Sequence, residues 1–282
     1  MTPSHWVRRV VSGRIQIVRI AGICATLFLA ASCGSGGGSN STTEPAPPTA
    51  AAHSPRPSPG DIAVRFVSGL TNTTLKGQQD TVPLTSPNSP ARAYISYLVA
   101  YTDAQTSAGG TLPTGRFTSQ GKPGTLTECD NIAEDRHPCV AFSNFHLDGQ
   151  GLISTFDMDG QPVRTAVAVG GPAQTASGVT VQPMGAYSDT GNGAVVVAYK
   201  VTNGTSRTVT MAYNAAEMVS GGSQHDTVGG TGPNTLPPSV SGMFLAQFSA
   251  QDPTGTFQVE ADYQADGGGP LANFTVKLIS PA

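Results

Sequence analysis

The sequence predicts a mainly β protein: a C-terminal antiparallel β-sandwich, preceded by an α+β segment made of one amphipathic helix and a three-stranded meander. Three observations carry this expectation. Gly and Pro are abundant, at 34 and 22 residues, while only 12% of the chain is charged, a balance that favours short strands joined by turns. One stretch, residues 90–104, repeats its apolar side chains at helical spacing. From residue 139 onward the period falls to two, with turn clusters between the apolar runs.

The chain opens on an address rather than on a fold. Arg8, Arg9, Arg14 and Arg19 stand upstream without an acidic residue, and an apolar run over residues 20–31 follows them and ends in small side chains. This is the layout of a secretory signal. The run is shorter than the ~20 residues a membrane span needs, so cleavage is expected in place of a spanning anchor. The Arg8-Arg9 pair alone is a weak signal for a twin-arginine route.

Ala30, Ala31, Ser32 and Cys33 resemble a bacterial lipobox, in which small residues before the cysteine let the peptidase approach the backbone. The usual Leu three places before the cysteine is Ala30 here, with Leu29 one further back. The resemblance implies a signal peptide over residues 1–32 and acylation of Cys33, with each buried CH₂ of the acyl chains contributing ~0.8 kcal/mol to anchoring. Residues 33–60 then form a lipidated tether, Gly/Ser-rich at first and Pro/Ala/Thr-rich after, with almost nothing to bury.

Removing residues 1–32 takes four of the fifteen basic residues and no acidic one, so eleven cations face eighteen carboxylates and the net charge moves from −3 to −7. A mildly acidic chain with scattered Lys and Arg has no footprint for nucleic acid and no charge-driven attraction to anionic lipid. Membrane contact is therefore expected through the acyl chains on Cys33, on the extracytoplasmic face of the cell membrane. The one Trp, Trp6, leaves with the signal, which lowers the expectation of an aromatic platform for carbohydrate.

Of four cysteines, Cys24 is discarded and Cys33 is assigned to lipid, which leaves Cys129 and Cys139. In an exported chain this pair is expected to form a disulfide. A metal site built from Cys129, His137 and Cys139 is the rival reading, and it lacks a fourth ligand.

Within the α+β segment, residues 61–174, the stretch 61–70 reads two ways. Ile62, Val64 and Phe66 alternate like a strand, while Ala63, Phe66, Val67 and Leu70 share one helical face. Residues 90–104 are unambiguous: Ala91, Tyr94, Ile95, Leu98 and Val99 recur at helical spacing, Ser89 offers an N-cap, and Gly109-Gly110 follow the end. Two Asp-Gly turns, Asp148-Gly149 and Asp159-Gly160, divide residues 139–169 into the three strands of the meander. Asp157 and Asp159 lack the further ligands of a calcium loop.

Residues 175–282 supply the sandwich. Runs at 179–187, 194–202, 208–214, 242–249, 256–263 and 273–278 read as strands, with loops between them that include the glycine-rich stretch around His225. The strand ending in Tyr187, the strand running into Val201-Thr202-Asn203 and the later LPPSVSGMFLAQF are together similar to the immunoglobulin-like domains of actinobacterial secreted lipoproteins and antigens. FSNFHLDGQGLISTFDMDGQPV resembles the segment that precedes such a domain in uncharacterised members. The likeness covers about two thirds of the mature chain and implies an architecture, with no catalytic residue to carry over.

The search for chemistry is mostly negative: there is no GxSxG, HExxH, phosphate loop or dinucleotide fingerprint, and no cofactor or resident metal is expected. His146 or His225 with Asp148 or Asp226 and one of many serines is the sharpest catalytic combination available, and it implies an envelope hydrolase. Met158, Met184, Met211, Met218 and Met243 are scattered, which suits core packing better than copper handling. The favoured expectation is a non-catalytic surface lipoprotein that presents loops or a sheet face to a protein partner, with Tyr-bearing strands such as 194–200 as candidate faces. The alternative is a carrier of a small hydrophobic ligand or lipid, with a pocket between helix and meander lined by Tyr94, Leu98, Phe142 and Phe156.

Overall fold

The computed structural model describes residues 58–72, 74–110, 115–118, 124–130, 139–189, 193–263 and 272–281. The first helix, α1 (Pro59–Leu70), settles the ambiguous stretch. Ser58 caps it by accepting the Asp61 amide at 3.2 Å, the Asp61 carboxylate accepts the Ser58 amide in return at 3.2 Å, and Pro59 occupies the first turn. That capping box, absent from the strand reading, fixes the period at 3.6. Ile62, Ala63, Phe66, Val67 and Leu70 then turn inward while Val64 stays 39% exposed. A short helix α2 (Leu75–Gln79) follows, capped by Thr74 on the Gly77 amide.

Helix α3 (Pro90–Ser107) begins where the sequence places it, with the Ser89 hydroxyl accepting the Arg92 amide at 3.2 Å. It runs three residues past the expected end before Gly109 takes a φ of +78°. Eleven of its eighteen residues are buried, more than a one-sided amphipathic helix requires, because α3 lies between two sheets.

The first sheet orders β1 (Gly115–Thr118), β2 (Leu126–Asp130), β3 (Cys139–Leu147), β4 (Ile153–Met158) and β5 (Gln161–Pro162), every pairing antiparallel. Both Asp-Gly turns occur where expected. The Asp148 carboxylate accepts the Gln150 and Leu152 amides at 2.8 and 2.9 Å and the Ser86 hydroxyl at 2.6 Å, bonds that hold its carboxyl below the usual range. Asp159 and Gly160 both adopt positive φ, +51° and +76°, the twist a two-residue hairpin requires. The expected third meander strand departs from expectation. Pro162 has no amide to extend the ladder, so β5 stops after two residues, a 3₁₀ turn covers Val163–Thr165, and the chain leaves the sheet.

It enters a second, larger sheet, and here the expected immunoglobulin-like sandwich is overturned. Eight strands close on themselves in the order β14 (Gly255–Tyr263), β11 (Glu217–Ser220), β12 (Ser223–Thr231), β13 (Ser241–Phe248), β9 (Ala194–Asn203), β8 (Val179–Asp189), β6 (Val167–Gly170) and β15 (Ala272–Ile279), with β15 pairing back onto β14. Two short strands flank the ring: β7 (Gln174–Ala176) on β8, and β10 (Val209–Met211) on β14. The mainly β character stands; the architecture is a closed barrel beside a separate helix-backed sheet.

Two features close the barrel. The glycine-rich stretch expected to be a loop is the hairpin β11–β12, whose turn residues Gly221 and Gly222 take φ of +56° and +80°. It supplies the two staves that join β14 to β13. The seam on the other side runs between β6 and β15, where Leu278 faces Gly170, Ile279 faces Val169, and the Gly171 amide donates to the Lys277 carbonyl at 2.8 Å.

Alternation along the staves divides the buried residues into two cores. Val195, Val197, Tyr199 and Val201 of β9 point into the barrel with Phe244, Phe248, Phe257 and Phe274. Val196 and Ala198 of the same strand point outward and pack with Met243 and Leu245 against α1, α3 and the first sheet. The unbroken apolar run AVVVAY therefore reflects a strand covered on both faces.

Candidate functional site

The residues expected to line a pocket between helix and meander lie together, and they pack on one another. Phe156 is the centre of the cluster, with ring centroids 5.3 Å from Phe66, 5.7 Å from Tyr94, 5.9 Å from Phe145 and 6.1 Å from Phe142. Leu98 is buried in the same core. Phe66 reaches this centre from α1, the element the sequence left undecided. Edge-to-face and stacked rings at these distances are the arrangements aromatic cores prefer.

A file of tyrosines extends that core toward the barrel wall. Tyr94 meets Tyr187 at 5.6 Å, Tyr187 stacks on Tyr97 at 5.7 Å, and Tyr97 meets Tyr101 at 5.9 Å. Asp189 is buried on the same strand as Tyr187. Desolvation raises the phenols of Tyr97, Tyr101 and Tyr187 above their ordinary range, with the charge of Asp189 adding to the effect at Tyr97 and Tyr187. The Tyr94 hydroxyl donates to the Met158 sulfur at 3.5 Å, and the Gln105 amide donates to the Tyr101 hydroxyl at 3.3 Å.

The catalytic combinations do not assemble. His146 is exposed on β3 opposite Thr155, and the serine beside it, Ser154, donates its hydroxyl to the His146 backbone carbonyl at 3.1 Å. Asp148 is occupied by its own turn and Ser86. His225 lies on β12 opposite Met218, and the exposed Asp226 faces Glu217. Among the described residues neither imidazole has a hydrogen-bond partner, and no group of three or more His, Cys, Asp or Glu could hold a metal ion. No helix among them is long and apolar enough to cross a membrane. Met211 and Met218 pack inside the barrel, and Met158, Met184 and Met243 pack in the other core.

Cys129 and Cys139 are placed directly opposite each other, as Cα partners on the neighbouring strands β2 and β3. Cys33, residues 34–57 of the expected tether and His137 lie outside the described residues, while residues 58–60, expected to end the tether, are the N-cap and first turn of α1.

Sequence reasoning offered the Tyr-bearing strand 194–200 as a face for a partner, and Tyr199 in fact points into the barrel with no exposed surface. Its ring stacks on Phe244 at 5.5 Å and meets Phe257 at 4.9 Å. The period-two signal was available, since Val195, Val197, Tyr199 and Val201 share one face. Its use required knowing which face turned inward. Burial pushes the Tyr199 phenol far above its ordinary range, and nearby Tyr213 adds to the shift. Among the described residues, Tyr199 is the one tyrosine whose buried hydroxyl has no hydrogen-bond partner.

Fold and side chains together define a closed eight-stranded barrel with an aromatic interior, buttressed by a helix-backed sheet. No protein-family model, no curated protein and no solved structure matches the chain.

Proposed function

We propose that the chain is a cell-envelope lipoprotein, held on the extracytoplasmic face of the membrane by acyl chains on Cys33 and acting as a non-catalytic binding or interaction module. The observation that carries this reading is the order of segments: a basic and apolar leader ending at Ala30-Ala31-Ser32-Cys33, a Pro-rich stretch, then a folded body. The body supports display over transport, because the residues that would line a carrier's pocket instead pack around Phe156. It supports binding over hydrolysis, because among the described residues neither the His146 nor the His225 imidazole hydrogen-bonds a carboxylate or a serine, and Ser154 is turned to the His146 backbone carbonyl.

A Cys129–Cys139 disulfide belongs to the same proposal. Residues directly opposed on antiparallel strands have Cα atoms about 4.5–5.5 Å apart, within the span a disulfide bridges. The bond would tie β2 to β3 in an oxidising compartment.

The test is mass spectrometry of the full-length protein taken from its own membranes, beside a Cys33→Ala variant. An N-terminal peptide that begins at Cys33 and carries acyl mass, lost together with membrane retention in the variant, is the expected result. An unmodified Cys33 in membrane-derived protein would overturn the anchor.

A further inference from the structure

We propose that Asn203-Gly204 is a latent deamidation site, kept as an amide by the folded turn after β9 and converted to an acid only in chains whose turn has opened, which then fail to re-form it. The inference goes beyond the anchored-module reading and does not depend on it. In an Asn-Gly pair no Cβ shields the amide that follows the asparagine, so the pair is open to attack wherever the chain is free. The Gly204 nitrogen, giving its proton to hydroxide, bonds to the Asn203 Cγ; the Cγ–Nδ2 bond breaks, and the nitrogen takes a proton from water and leaves as ammonia. Water then opens the five-membered imide to aspartate or isoaspartate.

Each of these steps is opposed by a bond in the folded turn. The Gly204 amide donates to the Gly178 carbonyl at 2.8 Å, which engages the proton the nucleophile must lose. Asn203 is fully buried, its Nδ2 donates to the Arg207 and Leu236 carbonyls at 2.7 and 2.8 Å, and its Oδ1 accepts the Thr205 amide and hydroxyl at 2.9 and 2.7 Å. Those four bonds fix the side-chain torsion and hold the leaving nitrogen away from water. The main chain is tied as well: the Asn203 amide donates to Val240 at 3.0 Å, and its carbonyl accepts the Ser239 amide at 2.8 Å.

The same contacts reject the product. A carboxylate at 203 puts an oxygen where Nδ2 donates, facing two carbonyl oxygens in a space with no exposed surface. Isoaspartate also adds a carbon to the main chain, which moves the Gly204 amide off Gly178. Nor can the fold dispense with the vulnerable pair. A Cβ on Gly204 would lie 2.8 Å from the Gly178 carbonyl oxygen, and an acid at 203 could not both donate and accept as the amide does. Close packing and the bonding pattern together demand the dipeptide that is least durable once the turn is open.

The experiment holds the full chain at mildly alkaline pH, folded in buffer or unfolded in urea, and follows residue 203 by peptide-mapping mass spectrometry. Asn192-Gly193, the same dipeptide, is the reference for the unfolded chain. In urea Asn203 converts as fast as Asn192. In the folded protein it converts at least about tenfold more slowly than in urea, the factor set by reaction through a minor open population. A smaller slowing, or none, overturns the proposal. The product is tested with Asn203→Asp, which loses slow hydrogen exchange at the Gly204 and Thr205 amides; full protection of both would show that the turn accepts the acid and would overturn that half of the proposal. If the variant fails to fold, the two rates in the unaltered chain decide alone.

Discussion

Asn203 shows at the scale of one residue how this chain fastens an irregular stretch. It sits fully buried at the end of β9 and uses both ends of its amide. Its nitrogen donates to the Arg207 and Leu236 carbonyls at 2.7 and 2.8 Å, and its oxygen accepts the Thr205 amide and hydroxyl at 2.9 and 2.7 Å. The side chain therefore closes the turn after β9 and pins Leu236, which packs in the barrel core. Replacing Asn203 by Ala removes the acceptor of the Thr205 amide and one of the two donors to each carbonyl, the Val209 amide still serving Leu236 and the Thr205 hydroxyl Arg207. Urea unfolding should show a loss of about 1–3 kcal/mol, and an unchanged midpoint would mean the network is open to water. Asn203 also opens an Asn-x-Thr triplet, so the residue that looks like a modification signal is a structural fastening.

At the scale of the element, the β11–β12 hairpin decides the architecture. Its turn requires positive φ at Gly221 and Gly222, a conformation that costs an L-residue roughly 1–2 kcal/mol. Gly222→Ala should therefore destabilise the protein by about that amount in denaturant titration. Gly229, on the same hairpin, is the control: a Cβ there meets only the Gln247 side-chain oxygen at 3.8 Å, and Gly229→Ala should be close to neutral. Equal effects would show that the turn conformation is not what holds the hairpin. This element was also the hardest to read in advance. Glycines and short polar residues over 220–232 have the composition of a loop, and β12 alternates between exposed and half-buried positions with little apolar signal. Helix α3 and strands β8, β9, β13, β14 and β15 were legible because each carries a strong period or a cap. The turns at Asp148 and Asp159 were legible because their chemistry is local.

At the scale of the whole molecule, closure could not be read from the same signals. A sandwich and a barrel demand identical alternation from each strand, and they differ only in which edges meet. The information lay in weak strands: four residues of β6, four of β11, and a bent β12. The candidate site was legible in its members and misread in its state, since Tyr94, Leu98 and Phe142 do gather about Phe156, and Phe66 and Phe145 fill the space beside it. The two cores also predict an alkaline limit. Tyr97, Tyr101, Tyr187 and Tyr199 have folded-state pKa values above the ordinary value of 10.0. The unfolded chain thus releases phenolic protons that the folded chain retains. Their contribution is complete below pH 10 and shrinks as pH rises beyond it. Tyrosinate absorbance should show these phenols ionising together with the loss of circular dichroism; independent ionisation in the folded state would show them open to solvent.

The barrel's closure rests on the seam between β6 and β15. Nuclear Overhauser contacts between Val169 and Ile279, together with slow hydrogen exchange at the Gly171 amide that donates to Lys277, test it most directly. Both are expected in a closed barrel. A rapidly exchanging Gly171 amide and no contact between Val169 and Ile279 would leave β15 as a free edge and return the architecture to two open sheets.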